Sequence, residues 1–151
     1  DNVAALEVYS QHGSSYNKIS FGVYDNRTGS KSASFLIRGD GTVLDGKGPI
    51  RSVPMEGPKS SSYDLVAADA GKHIRTNSDI GVPSGTFNEG DVVTILNASN
   101  SAISITEGGI QGMYFCNDGT TGTRQLAGRG MATILFSASG NNCYITGAGL
   151  T

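Results

Sequence analysis

Tyr114, Asn117, Asp118 and Arg124 fall in one short stretch of the chain. An aromatic ring, an amide, a carboxylate and a guanidinium are the groups with which proteins hold sugars. The ring stacks on the apolar face of a pyranose, and the other three exchange hydrogen bonds with its hydroxyls. The segment Asn117-Asp118-Gly119-Thr120-Thr121-Gly122-Thr123-Arg124 is the most polar loop of its region. A solvated hairpin loop is the competing and commoner use of such residues. These four side chains are the candidate glycan- or receptor-binding residues.

Other chemistries lack their residues. His12 and His73 are the only histidines, and no H-x-H, H-E-x-x-H or C-x-x-C spacing occurs to hold zinc. No D-x-[DN]-x-[DN]-G calcium loop is present. Gly46-Lys47-Gly48 and Gly71-Lys72-His73 are turns, because neither lysine is followed by the Ser or Thr of a phosphate loop. The strained G-x-S-x-G turn of a nucleophilic serine is absent. Glu7, Glu56, Glu89 and Glu107 have no neighbours that suggest an acid–base pair. Arg38-Gly39-Asp40 sits between two expected strands and reads as a turn rather than an adhesion motif. Asn26-Arg27-Thr28 and Asn97-Ala98-Ser99 match the glycosylation sequon, a pattern frequent by chance. Cys116 and Cys143 flank aromatics in expected strands and read as small buried hydrophobes, with a disulfide between neighbouring strands as the alternative. The chain is therefore read as a non-enzyme, with no catalytic residue, metal or cofactor.

The elements that must carry these residues are short strands. Ile19, Phe21 and Val23 alternate with polar residues in Lys18–Tyr24; Asp25–Ser30 is turn chemistry; Ala33–Arg38 returns; and Thr42–Leu44 follows the Gly39-Asp40-Gly41 turn. Residues 1–44 thus form a β-meander, a shaft or anchoring module. Residues 45–62, with Pro49, Pro54, Pro58 and the Ser60-Ser61-Ser62 run, read as a Gly/Pro/Ser-rich linker or strap. Residues 63–151 carry strands at Lys72–Arg75, Val92–Asn97, Ile103–Glu107, Met113–Cys116, Ala132–Ser137 and Asn142–Thr146. Loops at Ala98–Ser101 and Gly140–Asn142 suggest hairpins, and Val66–Ala70 suggests a single helical turn. The expected class is all-β: a short meander, then a β-sandwich or jelly-roll-like domain.

Composition agrees. Gly, Ser, Thr and Asn make up 62 of 151 residues, charged residues are 16%, and Trp is absent, which excludes a helical bundle and a charged disordered chain. A net charge of −2 lacks the positive excess that nucleic acid demands, and no apolar run is long enough to insert in a membrane as a helix. The start at Asp1, without an initiator Met, reads as the ordered fragment of something longer. Two small modules with few aromatics bury little surface per chain and leave sheet edges open, which packing of several chains about an axis would cover.

A family comes into view in the ordered series Tyr63–Ile74, Val82–Phe87, Gly90–Ile95, Asn97, Ile103–Thr106, Gly108, Arg124–Gly130, Ala132–Leu135 and Ile145–Leu150. This region resembles the C-terminal domain of bacteriophage tail fibres and related virion appendage proteins, particularly those of marine phages and cyanophages. Gly39–Val43 and Gly48–Pro54 are similar to their shaft-to-tip junctions. The departure is Gly109–Asn117, which is richer in aromatics and carries Cys116. The resemblance implies a homotrimer on the outside of the virion, attached to other virion structural proteins and touching a host-cell surface receptor or polysaccharide. It implies no catalytic residue and supplies no binding residue. A tail-fibre or spike tip is the leading function; a capsid decoration or head-fibre protein, a carbohydrate-binding module of a secreted protein, and a depolymerase follow in that order.

Overall fold

A computed structural model of the chain describes residues 6–7, 19–25, 32–38, 42–45, 48–50, 52–137 and 140–151. Two compact units divide it, Asp1–Pro54 and Met55–Thr151. Both are built of strands, as expected. Among the described residues, no helix is long and apolar enough to cross a membrane.

The first unit is an antiparallel meander in chain order: β1 (Leu6–Glu7), β2 (Ile19–Asp25), β3 (Ser32–Arg38), β4 (Val43–Asp45) and β5 (Gly48–Pro49). The three expected strands form its middle. The Arg38 N–H donates to the Thr42 carbonyl at 2.8 Å, and the Gly48 N–H donates to Asp45 Oδ1 at 3.0 Å. Phe35, Leu36, Ile37 and Val43 are half-buried, and no described side chain of this unit is fully buried. Gly39, Asp40, His12 and the Asn26-Arg27-Thr28 sequon lie outside the described residues.

The stretch 45–62 is not a plain linker. It contributes β5 to the first unit and opens the second with β6 (Met55–Lys59). The boundary therefore falls at Pro54–Met55, ahead of the expected Tyr63.

The second unit is a stack of bent layers. β6 turns into β7 (Tyr63–Asp64), β8 (His73–Thr76) into β9 (Ile80–Pro83), and β10 (Val92–Asn97) into β11 (Ile103–Gly108). These three rungs lie parallel on one another: Met55 pairs with His73 and His73 with Thr94, while Tyr63 pairs with Ile80 and Ile80 with Ile105. A 3-10 turn over Ala67–Asp69, where one helical turn was expected, lies on the return between the first two rungs. There the Asp69 carboxylate accepts the Tyr63 hydroxyl and the Val66 N–H, each at 2.9 Å.

The stack is closed by two long antiparallel strands, β13 (Arg124–Ser137) and β14 (Asn142–Leu150). β13 covers the whole third rung, pairing Leu135–Met131 with Val92–Leu96 and Leu126–Arg124 with Ile103–Ile105. β14 covers β13 as the expected hairpin, and β12 (Gly112–Phe115) lies parallel to β14 at the far margin. β10 and β11 are not a hairpin, contrary to expectation. The chain turns a corner between them and both strands pair with β13. Alternating apolar residues fit either arrangement, because Val93, Ile95, Ile103 and Ile105 point at the same core in both.

Every layer bends at this corner. The Asn77 N–H donates to the Lys59 carbonyl at 2.9 Å and the Ala98 N–H to the Thr76 carbonyl at 2.8 Å, so the ladder continues round the bend. Thr76 and Asn97, both fully buried, occupy successive layers there. Asn97 Nδ2 donates to the carbonyls of Ser101, Leu126 and Ala127 at 2.8, 3.1 and 3.0 Å, and its Oδ1 accepts the Ser99 N–H at 3.0 Å. β13 bends by a register shift between Leu126 and Met131, with Arg129 at φ 64. Gly128 is required at this bend, since a Cβ would collide with the Asn100 carbonyl. The Arg129 side chain holds its strained backbone by donating to the Ala98 carbonyl at 2.7 Å and to Asn100 Oδ1 at 3.1 Å.

Inside the bend lies the core: Leu65, Ile74, Ile80, Val82, Phe87, Val93, Ile95, Ile105, Leu126, Ile134, Phe136 and Ile145 among others. Phe87 stacks on Phe136 with ring centroids 4.0 Å apart. Asn97→Ala leaves three carbonyls at the corner short of a donor, so a loss of about 2–4 kcal/mol is expected. Asn97→Asp is expected to cost at least as much, because a carboxylate would face those carbonyls. Urea unfolding of the three proteins checks this; an Asn97→Ala protein as stable as the parent would remove the corner from its structural role.

Candidate functional site

β12 and β13 are joined by the polar loop that carries Asn117 and Asp118, with Tyr114 in β12 before it and Arg124 opening β13 after it. The loop is folded rather than merely solvated. The Phe115 N–H donates to the Thr120 carbonyl at 2.8 Å, and the Gly119 N–H returns to the Phe115 carbonyl at 2.7 Å. Asp118 Oδ1 accepts both the hydroxyl and the N–H of Thr120, at 2.6 and 2.9 Å. The hydroxyl bond, followed by the backbone bond, holds the Asp118 carboxyl below its ordinary range. Arg124 reaches the same threonine, an Nη donating to its carbonyl at 2.7 Å and to its hydroxyl at 2.8 Å. Its guanidinium lies 5.0 Å from the centroid of the Phe115 ring. Among the described residues, Arg124 Nε is a buried side-chain donor with no partner.

Asp118 and Arg124 thus meet through Thr120. Asn117 instead lines a cavity of about 490 Å³, together with Phe115, Cys116, Thr146, Gly147 and Leu150. Tyr114 belongs to the sheet, where it stacks on Tyr144 with centroids 5.5 Å apart and rings inclined by 27°. The arrangement offers hydrogen-bonding groups around a concave wall and, beside it, a paired aromatic platform. Both suit polyhydroxylated ligands.

Two contributors escape sequence reading. Glu107 on β11 accepts the Met113 N–H at 3.0 Å and the Gly122 N–H at 3.1 Å, both on Oε1, and so ties the start of β12 to the end of the loop. Tyr144 is brought to Tyr114 by the parallel pairing of β12 with β14. Neither carries a local signal, since the partners are remote in sequence.

The remaining expectations are resolved by burial. Cys143 is fully buried and Cys116 is exposed, and both are free thiols. Cys143 in β14 lies opposite Met113 of β12, whereas Cys116 follows the end of β12, so the sulfurs are out of step. Asn97 of the second sequon is fully buried with its amide engaged, so the folded chain offers no acceptor there. His73 is half-buried in β8 between Met55 and Thr94. No group of three or more His, Cys, Asp or Glu suited to a metal ion occurs among the described residues. No family model matches the chain, and no curated protein does.

Burial, and then the Glu107 carboxylate, push the Cys143 thiol from its ordinary 9.0 up to about 12. The unfolded chain releases this proton first, so stability from the neutral thiol is full below pH 9 and is lost as pH rises towards about 12. Thermal unfolding in that window is expected to fall more steeply for the parent than for Cys143→Val; equal slopes would assign the loss elsewhere. Glu107→Ala is expected to raise amide exchange at Met113 and Gly122 at least about tenfold, the loss of roughly 1.4 kcal/mol of local protection. Unchanged exchange would remove Glu107 from the support of the loop.

Proposed function

We propose that this chain is a structural virion protein, the tip of a phage tail fibre or spike, which attaches the particle to a host-surface glycan. The observation that carries the reading is the stack of parallel rungs closed by the antiparallel β13–β14 layer. Parallel rungs build along one direction, and such a stack needs an atypical last layer to stop it. A capped end is what the terminal domain of a filamentous appendage requires.

The loop between β12 and β13 is supported by that cap, because β12 is held on β14 and Glu107 braces the loop from β11. Function placed on a loop over a rigid scaffold is the common arrangement for recognition. The net charge of −2 suits a ligand bound by hydrogen bonds and stacking rather than by attraction to phosphate. The resemblance of residues 63–151 to phage appendage tips points the same way.

Binding of the full chain to an array of bacterial surface polysaccharides tests the proposal. Saturable binding to a subset is expected, weakened about tenfold or more by Asn117→Ala at the cavity wall, a loss of about 1.4 kcal/mol. Circular dichroism of the variant should match the parent. Binding to no polysaccharide, or equal binding by the variant, counts against glycan attachment at this loop. An antibody to the chain that decorates the particle head rather than the tail would reassign it to capsid decoration.

A further inference from the structure

Outer side chains of the larger sheet alternate with the buried ones, and strand register sets them in rows across it. The central row is Met55–His73–Thr94–Thr133–Thr146, one residue from each of β6, β8, β10, β13 and β14. Its last members are threonines, and Thr94 and Thr133 touch through their hydroxyls at 3.3 Å. Both are half-buried, as is His73. The rows on either side are more exposed. Leu135 at 45% exposure and Tyr144 at 46% flank the threonines on one side, and Met131 at 48% flanks them on the other. The result is a furrow with a hydroxyl floor and apolar banks. Thr146, at one end of the threonines, also lines the cavity that holds Asn117. The floor therefore runs without a break from β10 to the cavity beside the polar loop. One bank is fixed at that end: the Tyr114 ring lies over Gly112, where an added Cβ would come within 2.9 Å of it, and stacks on Tyr144.

We infer that the furrow is the track of a linear, uncharged polysaccharide, which lies across the strands and enters the cavity with one of its units. The inference rests on the reading of the chain as a glycan-attaching tip and gives that reading a ligand shape: several consecutive sugars rather than a single terminal one. Neighbouring strands lie ~4.8 Å apart, so Thr146, Thr133 and Thr94 present their hydroxyls at close to the length of one sugar ring per strand. Each hydroxyl can donate and accept, as sugar hydroxyls do, and the banks offer apolar surface to the C–H faces of the rings. No carboxylate stands on the floor or the banks, and the cations, His73 and Arg75, lie beyond Thr94 on β8. A charged sugar would find no counter-charge along the threonines. Met131 and Leu135 stand roughly 13 Å apart along β13, wide enough for one sugar chain. A second flat sheet would rest on the banks and leave the floor uncovered.

The test is calorimetric titration of the full chain with oligosaccharides of increasing length, cut from a polysaccharide that the array identifies. Affinity is expected to rise about tenfold or more from about two units to about four, because the longer chain reaches from the cavity to β10. Thr94→Val with Thr133→Val removes both floor hydroxyls, keeps their shape and strand propensity, and leaves neither hydroxyl stranded. It is expected to weaken the longer oligosaccharide about tenfold and to leave the shorter one and the circular dichroism unchanged. If that variant fails to fold, Leu135→Thr on the bank takes its place, with a loss of about fivefold expected for the longer oligosaccharide. Affinity that does not grow with length, or variants that bind the longer oligosaccharide like the parent, overturns the inference. Binding that Asn117→Ala weakens and the floor variant does not sinks only the furrow, whereas binding that only the floor variant weakens sinks only the loop site. Binding to no polysaccharide sinks the attachment role and the furrow with it. Self-association that Met131→Lys abolishes and the oligosaccharide does not displace gives the face to a second copy, which also overturns the inference.

Discussion

One buried amide at a corner governs the second unit. A sheet that folds sharply must break its ladder or satisfy the carbonyls that the bend leaves without partners, and an unpaired buried carbonyl is costly. Asn97 meets this requirement by giving its Nδ2 to carbonyls of its own turn and of β13. Thr76 does the same work one layer away, donating to Ser78 and accepting the Ser78 N–H. Because these groups sit in consecutive layers, every rung bends at one place and the rungs can stack.

The stacking decides where everything else lies. Bent rungs bring two stretches of each strand pair around a common core, so short segments of few residues bury Ile74, Ile80, Ile95 and Ile105 completely. β13 has to follow the same bend in the opposite direction, and it does so with Gly128, the strained Arg129 and a register shift instead of a loop. β14 and β12 then inherit their positions from β13. The polar loop, its cavity and the Tyr114–Tyr144 pair are therefore set by the corner through β13 and β14.

In the proposed appendage the site draws on a braced loop and on the margin of the sheet beside it. Recognition belongs to the loop side, where hydrogen-bonding groups are held by Thr120 and Glu107. The outer side chains of the same strands alternate with those of the core, and the Tyr114–Tyr144 pair is among them.

The all-β class, the meander, most strands of the second unit and the β13–β14 hairpin were legible in local alternation and turn residues, because both depend on a few neighbouring side chains. The polar loop was legible for the same reason. The hairpin assigned to β10 and β11 was not borne out, since alternation states which side chains face inwards and is silent on which strand lies alongside. Parallel stacking of β6, β8 and β10 joins residues far apart in the chain, with unequal stretches between them, and leaves no repeat to read. The same remoteness hid Glu107 beneath the loop and Tyr144 beside Tyr114. The sequence by itself determined which residues alternate and where the chain can turn, as these are short-range steric and hydrophobic preferences. Only the tertiary structure decided strand partners, the corner and the contents of each face, because these follow from satisfying buried backbone groups across distant segments.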